Sequence, residues 1–404
     1  MLFRSGDPAR VGVLEEARAL FEAAGDDEAA GEASSMLAEA LWYSGRTEEH
    51  QAALARAQEL VQGHELSVAV ARVRAQTARY AMLEDENDEA IRVGREALDM
   101  AEQLGLNELR ANVLSTIGTA MSNSEPGTGD ELLREAVAIG TTLNSVEAPR
   151  ALNNLAVSVF FQGSIRREHE LLLESRAAAE RLGSDNFVRF AEGNLCWTSY
   201  AIGDWNESLR RCDAFIAECE AGSAHASESL AQDARAEILL GRDDLDRALR
   251  AWTRTTELDG GGEGGRGAVR AQLLAGRMLQ ELGRLDDARA ALLTTLDKTD
   301  RKIYTPQTIS FVLLAEPLGL SDRLGEFLSR VGSGPWLEMA RLVAAGEHAE
   351  AARRVDEAGY LSLAAQVRLR SQEDRELEKA IDFFSSVGAT RYLTRAEAQL
   401  AAMA

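Results

Sequence analysis

The residue types that most often carry catalysis are present in this chain, but never at the spacing catalysis needs. The five histidines, His50, His64, His169, His225 and His348, are scattered. They form neither an HExxH run nor a pair four residues apart, so nothing marks a zinc site or a nucleophile–base couple. Carboxylates are plentiful yet fall in helix-surface runs such as EDENDE at 84–89. That is the pattern of a solvated turn, not of two acids set against each other for proton transfer. A Walker loop, a dinucleotide fingerprint and a nucleophile elbow are all missing from the sequence. The expectation is a chain with no catalytic residue, no cofactor and no metal.

One constellation stands out. Nine residues before Gly163, Gly203 and Gly241 stand Asn154, Asn194 and Gln232, three side-chain amides at one station of a repeating pattern. An amide donates and accepts at once, which suits gripping a peptide backbone irrespective of its side chains. The competing reading is that these amides bond to neighbouring helix carbonyls or face water. The aromatics Phe160, Phe161, Trp197 and Tyr200 stand close by. They either anchor a ligand or, as aromatics at helical spacing more often do, fill the core.

The elements that would carry these residues are helices. The run from Arg150 to Ser184, RALNNLAVSVFFQGSIRREHELLLESRAAAERLGS, reads as helix, turn, helix, with apolar residues at helical spacing and glycines that can stop each helix by taking positive φ. One such pair cannot bury its own apolar face, so copies must stack. Turn glycines at Gly45, Gly163, Gly203, Gly241 and Gly283 give intervals of 118, 40, 38 and 42. Two further units fit into the first interval, one turning around Asn87 and one through a longer loop containing Pro126.

This pattern resembles the tetratricopeptide repeat (TPR), whose marks are a small residue within the first helix, Gly at the turn, and Ala five and twelve positions later. Gly283, Ala288 and Thr295 keep that spacing, GDWNESL at 203–209 keeps the turn, and Asn87 is followed by Ala90 and Ala97. The period is about 40 rather than 34 residues, so each helix runs nearly a turn longer. The resemblance is strongest from about 30 to 300. It implies an all-α, right-handed α-solenoid of about ten TPR-like helix pairs whose first helices line a concave groove. Asn154, Asn194 and Gln232, with Trp197, Tyr200 and Phe160, would then face a protein or peptide partner in that groove.

Composition agrees. Six prolines in 404 residues leave long stretches unbroken, and the strand-favouring residues are sparse. A net charge of −22 argues against nucleic acid, because phosphate neutralisation needs a basic face. No apolar run reaches the length of a membrane helix. Cys196, Cys212 and Cys219, without a CxxC, read as reduced core thiols, which suits a cytoplasmic location.

Three segments break the regularity. Residues 1–5, MLFRS, match what a sequencing adaptor, GTG CTC TTC CGA TCT, encodes, and GDPARVGVLEEARALFEAAGD then reads as the second helix of a unit whose first is missing. The expectation is a truncated parent. DGGGEGGRG at 259–267 reads as an inter-repeat loop, since no GKS or GKT follows. The array is assigned to 6–300, with irregular repeats and a C-terminal cap over 301–404. Thr305 and Pro306 are expected to open a helix there, and GSGP at 332–335 to form a turn.

RALNNLA, AERLG and the closing FFSSVGATRYLTRAEAQLAA resemble the C-terminal arrays of large bacterial signalling proteins. In those an ATPase domain is joined to an adenylate or guanylate cyclase or to a LuxR-type DNA-binding domain. The implied function is a non-catalytic regulatory module that binds a partner or the parent's own ATPase domain. The alternatives are a free-standing adaptor, or an enzyme with its site around Tyr304 to Trp336.

Overall fold

The computed structural model describes residues 8–43, 46–122, 124–258, 265–298, 305–330 and 332–403. Residues 1–5, Gly45, 259–264 and Tyr304, on which sequence expectations fell, lie outside the described residues. The described residues form 22 α-helices and one 3-10 turn, with no strand among them. In order these are α1 Pro8–Ala24, α2 Asp27–Tyr43, α3 Thr47–Leu60, α4 Val68–Leu83, α5 Asn87–Gln103, α6 Asn107–Ala120 and α7 Pro126–Thr142. Then come α8 Glu147–Phe161, α9 Ile165–Arg181, α10 Asp185–Ala201, α11 Trp205–Glu220, α12 Glu228–Gly241, α13 Leu245–Leu258, α14 Gly265–Glu281 and α15 Leu285–Lys298. The last are α16 Gln307–Ala315, the 3-10 turn Glu316–Leu318, α17 Ser321–Arg330, α18 Pro335–Ala344, α19 His348–Glu357, α20 Leu361–Arg368, α21 Asp374–Val387 and α22 Thr390–Met403. The chain divides into two compact units, one of residues 1–158 and 174–188, the other of 159–173 and 189–404.

α5 shows why these segments are helical. Ala90, Val93, Gly94, Ala97 and Ala101 are its buried residues, spaced three or four apart on one stripe, while on the opposite side Arg92 pairs with Glu89 and Glu96. Caps follow sequence logic. The Ser67 hydroxyl accepts from Val70 N at 3.3 Å, and Pro126 and Pro335 open α7 and α18, where a missing N–H costs nothing. Pro126 thus starts a helix instead of lying within a loop. α16 is assigned from Gln307, with Pro306 at its N-cap already at φ −56°, ψ −22°, one step later than the sequence suggests.

Five turns within pairs are each closed by one residue at positive φ: Asp85 at 64°, Gly163 at 83°, Gly203 at 88°, Asp243 at 65° and Gly283 at 74°. Two of these correct the sequence reading. Asn87 is the first residue of α5 and Gly241 the last of α12; aspartates hold the left-handed conformation in both turns. A short polar side chain tolerates that conformation by bonding to the local backbone. With Asp243 as the turn residue, Ala248 and Thr255 fall five and twelve positions later, like Ala288 and Thr295 after Gly283.

At the fifth position the second helix crosses the first closely, and Ala90, Glu168, Ser208, Ala248 and Ala288 are all buried there. Ser208 Oγ donates to the Cys196 carbonyl at 2.6 Å. Glu168 is the exception in kind, a carboxyl in a slot that elsewhere takes Ala or Ser. Its Oε2 is buried without a hydrogen-bond partner among the described residues, and burial pushes its pKa well above the carboxylate range. The folded chain therefore keeps a proton that the unfolded chain releases. Stability tied to this group is full below the unfolded pKa and is lost as pH rises toward the folded one. Glu168→Gln, which cannot ionise, is expected to gain stability relative to the parent as pH rises from about 3.5 to 8. Urea melts at both pH values check this; an unchanged difference would show that Glu168 is ionised in the fold.

In the first unit α2 packs on α4 and α4 on α6, more closely than the second helices α3 and α5 meet. Polar side chains one period apart tie successive first helices together: Arg79 to Glu39 at 3.1 Å, Arg72 to Glu32, and Asn154 Nδ2 to Ser115 Oγ at 2.9 Å. The larger core of the second unit runs from Ile165 to Ala396, with a smaller cluster between α12, α13 and α14. Its last helices run back along the turns of the preceding pairs, where sequence reasoning expected a terminal cap. Pro335 and Met339 lie against Gly163, Phe383 and Leu361 against Gly203, and Tyr392 against Gly241. A Cβ on Gly203 would come within 2.9 Å of Phe383 Cε2, so this glycine is required both by its φ and by the close approach.

The attraction is physical. The last carbonyls of a helix have lone pairs to spare, and besides the turn N–H groups of Gly163 and Gly203, Trp336 Nε1 donates to the Phe160 carbonyl at 2.7 Å and Ser362 Oγ to the Tyr200 carbonyl at 2.5 Å. Ser362 Oγ in turn accepts from Trp205 Nε1 at 2.8 Å. Ile165 N donates to the Ala358 carbonyl at 2.7 Å.

Candidate functional site

Of the three predicted amides, Asn154 belongs to the first unit, and Asn194 and Gln232 to the second. Asn154 is half-buried and spends one N–H on Ser115 Oγ. Asn194, also half-buried, donates to the Phe190 carbonyl of its own helix at 3.0 Å. Gln232 is 3% exposed, with Oε1 buried and unpartnered among the described residues. With Asp243 as the turn residue, the station nine positions earlier is Ala234, so Gln232 leaves the amide column.

The same shift brings in a residue that sequence reasoning missed. Nine before Asp85 stands Gln76 on α4, half-buried, with no hydrogen-bond partner among the described residues. The signal was present but hidden, because Asn87 stood as the turn marker in place of Asp85. Asn112 on α6 is another unforeseen amide. Its Nδ2 donates to Glu147 Oε1 at 3.0 Å, while Arg150, itself buried, donates to Glu147 Oε2, the Asn112 carbonyl and Thr116 Oγ1, each at 3.0 Å. Asn112 and Glu147 of this network line a shallow groove of about 290 Å³ in the first unit, with Arg72 and Leu109 among its other residues.

The predicted aromatics are brought together in the second unit, as core. Phe160 meets Trp197 edge-on at 5.9 Å and Trp336 at 6.2 Å, Trp197 meets Tyr360 at 5.3 Å, and Tyr200 meets Trp205 at 5.5 Å. The chain's own C-terminal residues thus occupy the places where ligand anchors were expected. Beside them Trp197, Tyr200 and Tyr360 share a cavity of about 60 Å³ with α16, whose Pro306, Gln307 and Ser310 come from the irregular region. Its carboxylates are paired: Asp233 accepts from Arg270 and Glu237 from Arg277 at 2.8 Å.

Three of the histidines play packing roles. His50 Nδ1 donates to the Ala38 carbonyl at 2.8 Å, with its ring 4.3 Å from Tyr80. His169 Nδ1 lies 2.9 Å from Thr198 Oγ1. His225 packs edge-on to Phe190 and Phe215, and burial together with the Arg189 charge pushes its pKa down to about 4. The three cysteines are buried free thiols. Among the described residues no group of three or more His, Cys, Asp and Glu could hold a metal ion, and no helix is long and apolar enough to cross a membrane.

No protein-family model and no curated protein matches the sequence. Among solved structures the chain is similar to NprR in complex with its cognate peptide NprX, with a TM-score of 0.54 at 10% identity over 87% of this chain and 97% of that one. The apo form of the quorum sensor NprR from B. thuringiensis gives 0.49 at 10% identity, over 92% and 97%. A Rap protein complexed with Competence and Sporulation Factor gives 0.48 at 12%, over 98% and 99%. At such identities the likeness is one of fold: an all-α solenoid of TPR-like helix pairs.

Proposed function

We propose that this chain is a regulatory interaction module that holds an extended peptide segment of a partner protein against the first helices of its first unit. The observation that carries the reading is the pair Gln76 and Asn154, amides at one station of two helix pairs, both with bonding capacity left over. Asn154 spends one N–H and keeps its carbonyl oxygen; Gln76 keeps its whole amide. Backbone recognition needs such donor–acceptor groups at repeating intervals. The fold likeness to NprR, solved with a peptide, supports the same class of partner. The resemblance of the closing segment to signalling arrays supports a parent in which this module restrains or senses an ATPase domain linked to a cyclase or a LuxR-type regulator.

The test is to pan a random peptide library on the full chain and titrate the enriched peptides by fluorescence anisotropy. The double variant Q76A/N154A is expected to bind them roughly ten- to a hundredfold more weakly, each lost amide bond being worth about 0.5–1.5 kcal/mol. Its melting temperature should stay close to the parent's. Peptides that bind parent and variant alike would rule out this face as the site.

A further inference from the structure

The cavity beside Trp197 in the second unit lies outside the proposed peptide face, and its chemistry is unbalanced. Tyr200 and Tyr360 are each more than nine-tenths buried. Both line the cavity, and neither hydroxyl has a hydrogen-bond partner among the described residues. Arg277, with 11% of its side chain exposed, spends Nη1 on Glu237; its other N–H groups find no acceptor among the described residues. Gln307 also lines the space and adds an amide. Glu237, which also lines the space, engages Oε2 with Arg277. The N–H groups of Arg277 and the two phenol hydroxyls therefore face the space unengaged, beside one buried acceptor without a partner among the described residues, Gln307 Oε1. Burial, with Glu237 close by, pushes both phenols upward in pKa, which keeps them protonated and able to donate.

We propose that this cavity binds a small organic carboxylate. The planar guanidinium of Arg277 suits a planar carboxylate, the two tyrosine hydroxyls donate to its oxygens, and the Trp197 ring covers the hydrocarbon part. The volume of about 60 Å³ corresponds to roughly four waters, which limits the ligand to a few non-hydrogen atoms and leaves no room for a peptide chain. Arg270 and Arg277 are each matched by a carboxylate, so the cavity carries no net positive charge. A singly charged anion with delocalised charge fits that balance; a phosphate dianion, brought beside Asp233 and Glu237, does not.

The experiment is thermal melting of the full chain with acetate, glycine and lactate, and with acetamide and inorganic phosphate as controls. One of the carboxylates is expected to raise the melting temperature saturably, by roughly 5 °C at about a hundred times its Kd, and the two controls are not. Y200F/Y360F removes only two unbonded hydroxyls and should melt like the parent, yet bind the carboxylate at least about tenfold more weakly. Arg277→Lys, which keeps a charge beside Glu237 but loses the fork, should weaken it likewise. No shift with any carboxylate at about 10 mM, ten times a Kd of about 1 mM, would mean that the cavity merely holds water. A shift that survives in Y200F/Y360F, or that acetamide or phosphate reproduces, would also overturn the proposal. Peptide titration of the same double variant is independent of all these outcomes, so this site and the peptide face stand or fall separately.

Discussion

Replacing Trp336 with Ala is expected to cost the second unit about 3–5 kcal/mol and to lower its melting temperature by roughly 6–20 °C. The side chain is fully buried, it packs on Phe160, and its Nε1 supplies the Phe160 carbonyl with a partner at 2.7 Å. The variant loses the transfer energy of an indole, leaves a hole next to Phe160 and removes a hydrogen bond across 176 residues of sequence. Trp336→Phe separates these terms, since it keeps most of the packing and drops only the N–H, worth about 0.5–1.5 kcal/mol. Calorimetry on both variants measures the split. If Trp336→Ala melted within a degree or two of the parent, the C-terminal helices would not be held to the turns in the way described.

Arg368→Met should be comparably severe, for an electrostatic reason. Arg368 is buried, donates from Nε to Glu376 at 3.0 Å and also pairs with Asp356. Burial alone would raise the Glu376 pKa, but hydrogen bonds from Lys379 and Arg368 outweigh it and hold the carboxyl below its ordinary range. Removing the guanidinium leaves the buried carboxylate to the half-exposed Lys379 alone, and breaking such a buried pair costs up to about 3–5 kcal/mol near neutral pH. A depressed folded pKa contributes stability that is present above the unfolded pKa and is lost as pH falls through the folded one. In the variant that contribution shrinks, and protonation relieves the stranded charge, so parent and variant should converge as pH drops from about 7 toward 4. Adding Glu376→Leu to Arg368→Met should recover most of the loss, because an apolar pair of similar volume often replaces a buried ion pair at little cost. Urea melts of the single and double variants decide it; a double variant no more stable than the single one would place the damage elsewhere.

Much of the fold was legible because it depends on local chemistry. Helix spacing, glycine at turns and small residues five and twelve positions later each reflect contacts within one pair, and so recur in the sequence at the period of the structure. Even the misplaced turns at Asn87 and Gly241 were off by only two residues, since Asp85 and Asp243 do what glycine does elsewhere. That error was enough to admit Gln232 to the amide column and to conceal Gln76. A ruler built on residue type alone cannot see which backbone takes positive φ.

What the sequence by itself determined was the helix pair, its repetition and the near absence of reactive spacing, because each of these is decided within about 40 residues. What only the tertiary structure decided was where the last helices of the second unit go. Trp336, Ser362, Phe383 and Tyr392 meet partners more than a hundred residues away, and no periodicity encodes such a meeting. It is fixed by helix-end carbonyls that accept a second hydrogen bond from a distant side chain and by glycines that leave room for a ring. Those contacts turn the expected groove aromatics Phe160, Trp197 and Tyr200 into core and close a small donor-rich cavity beside them.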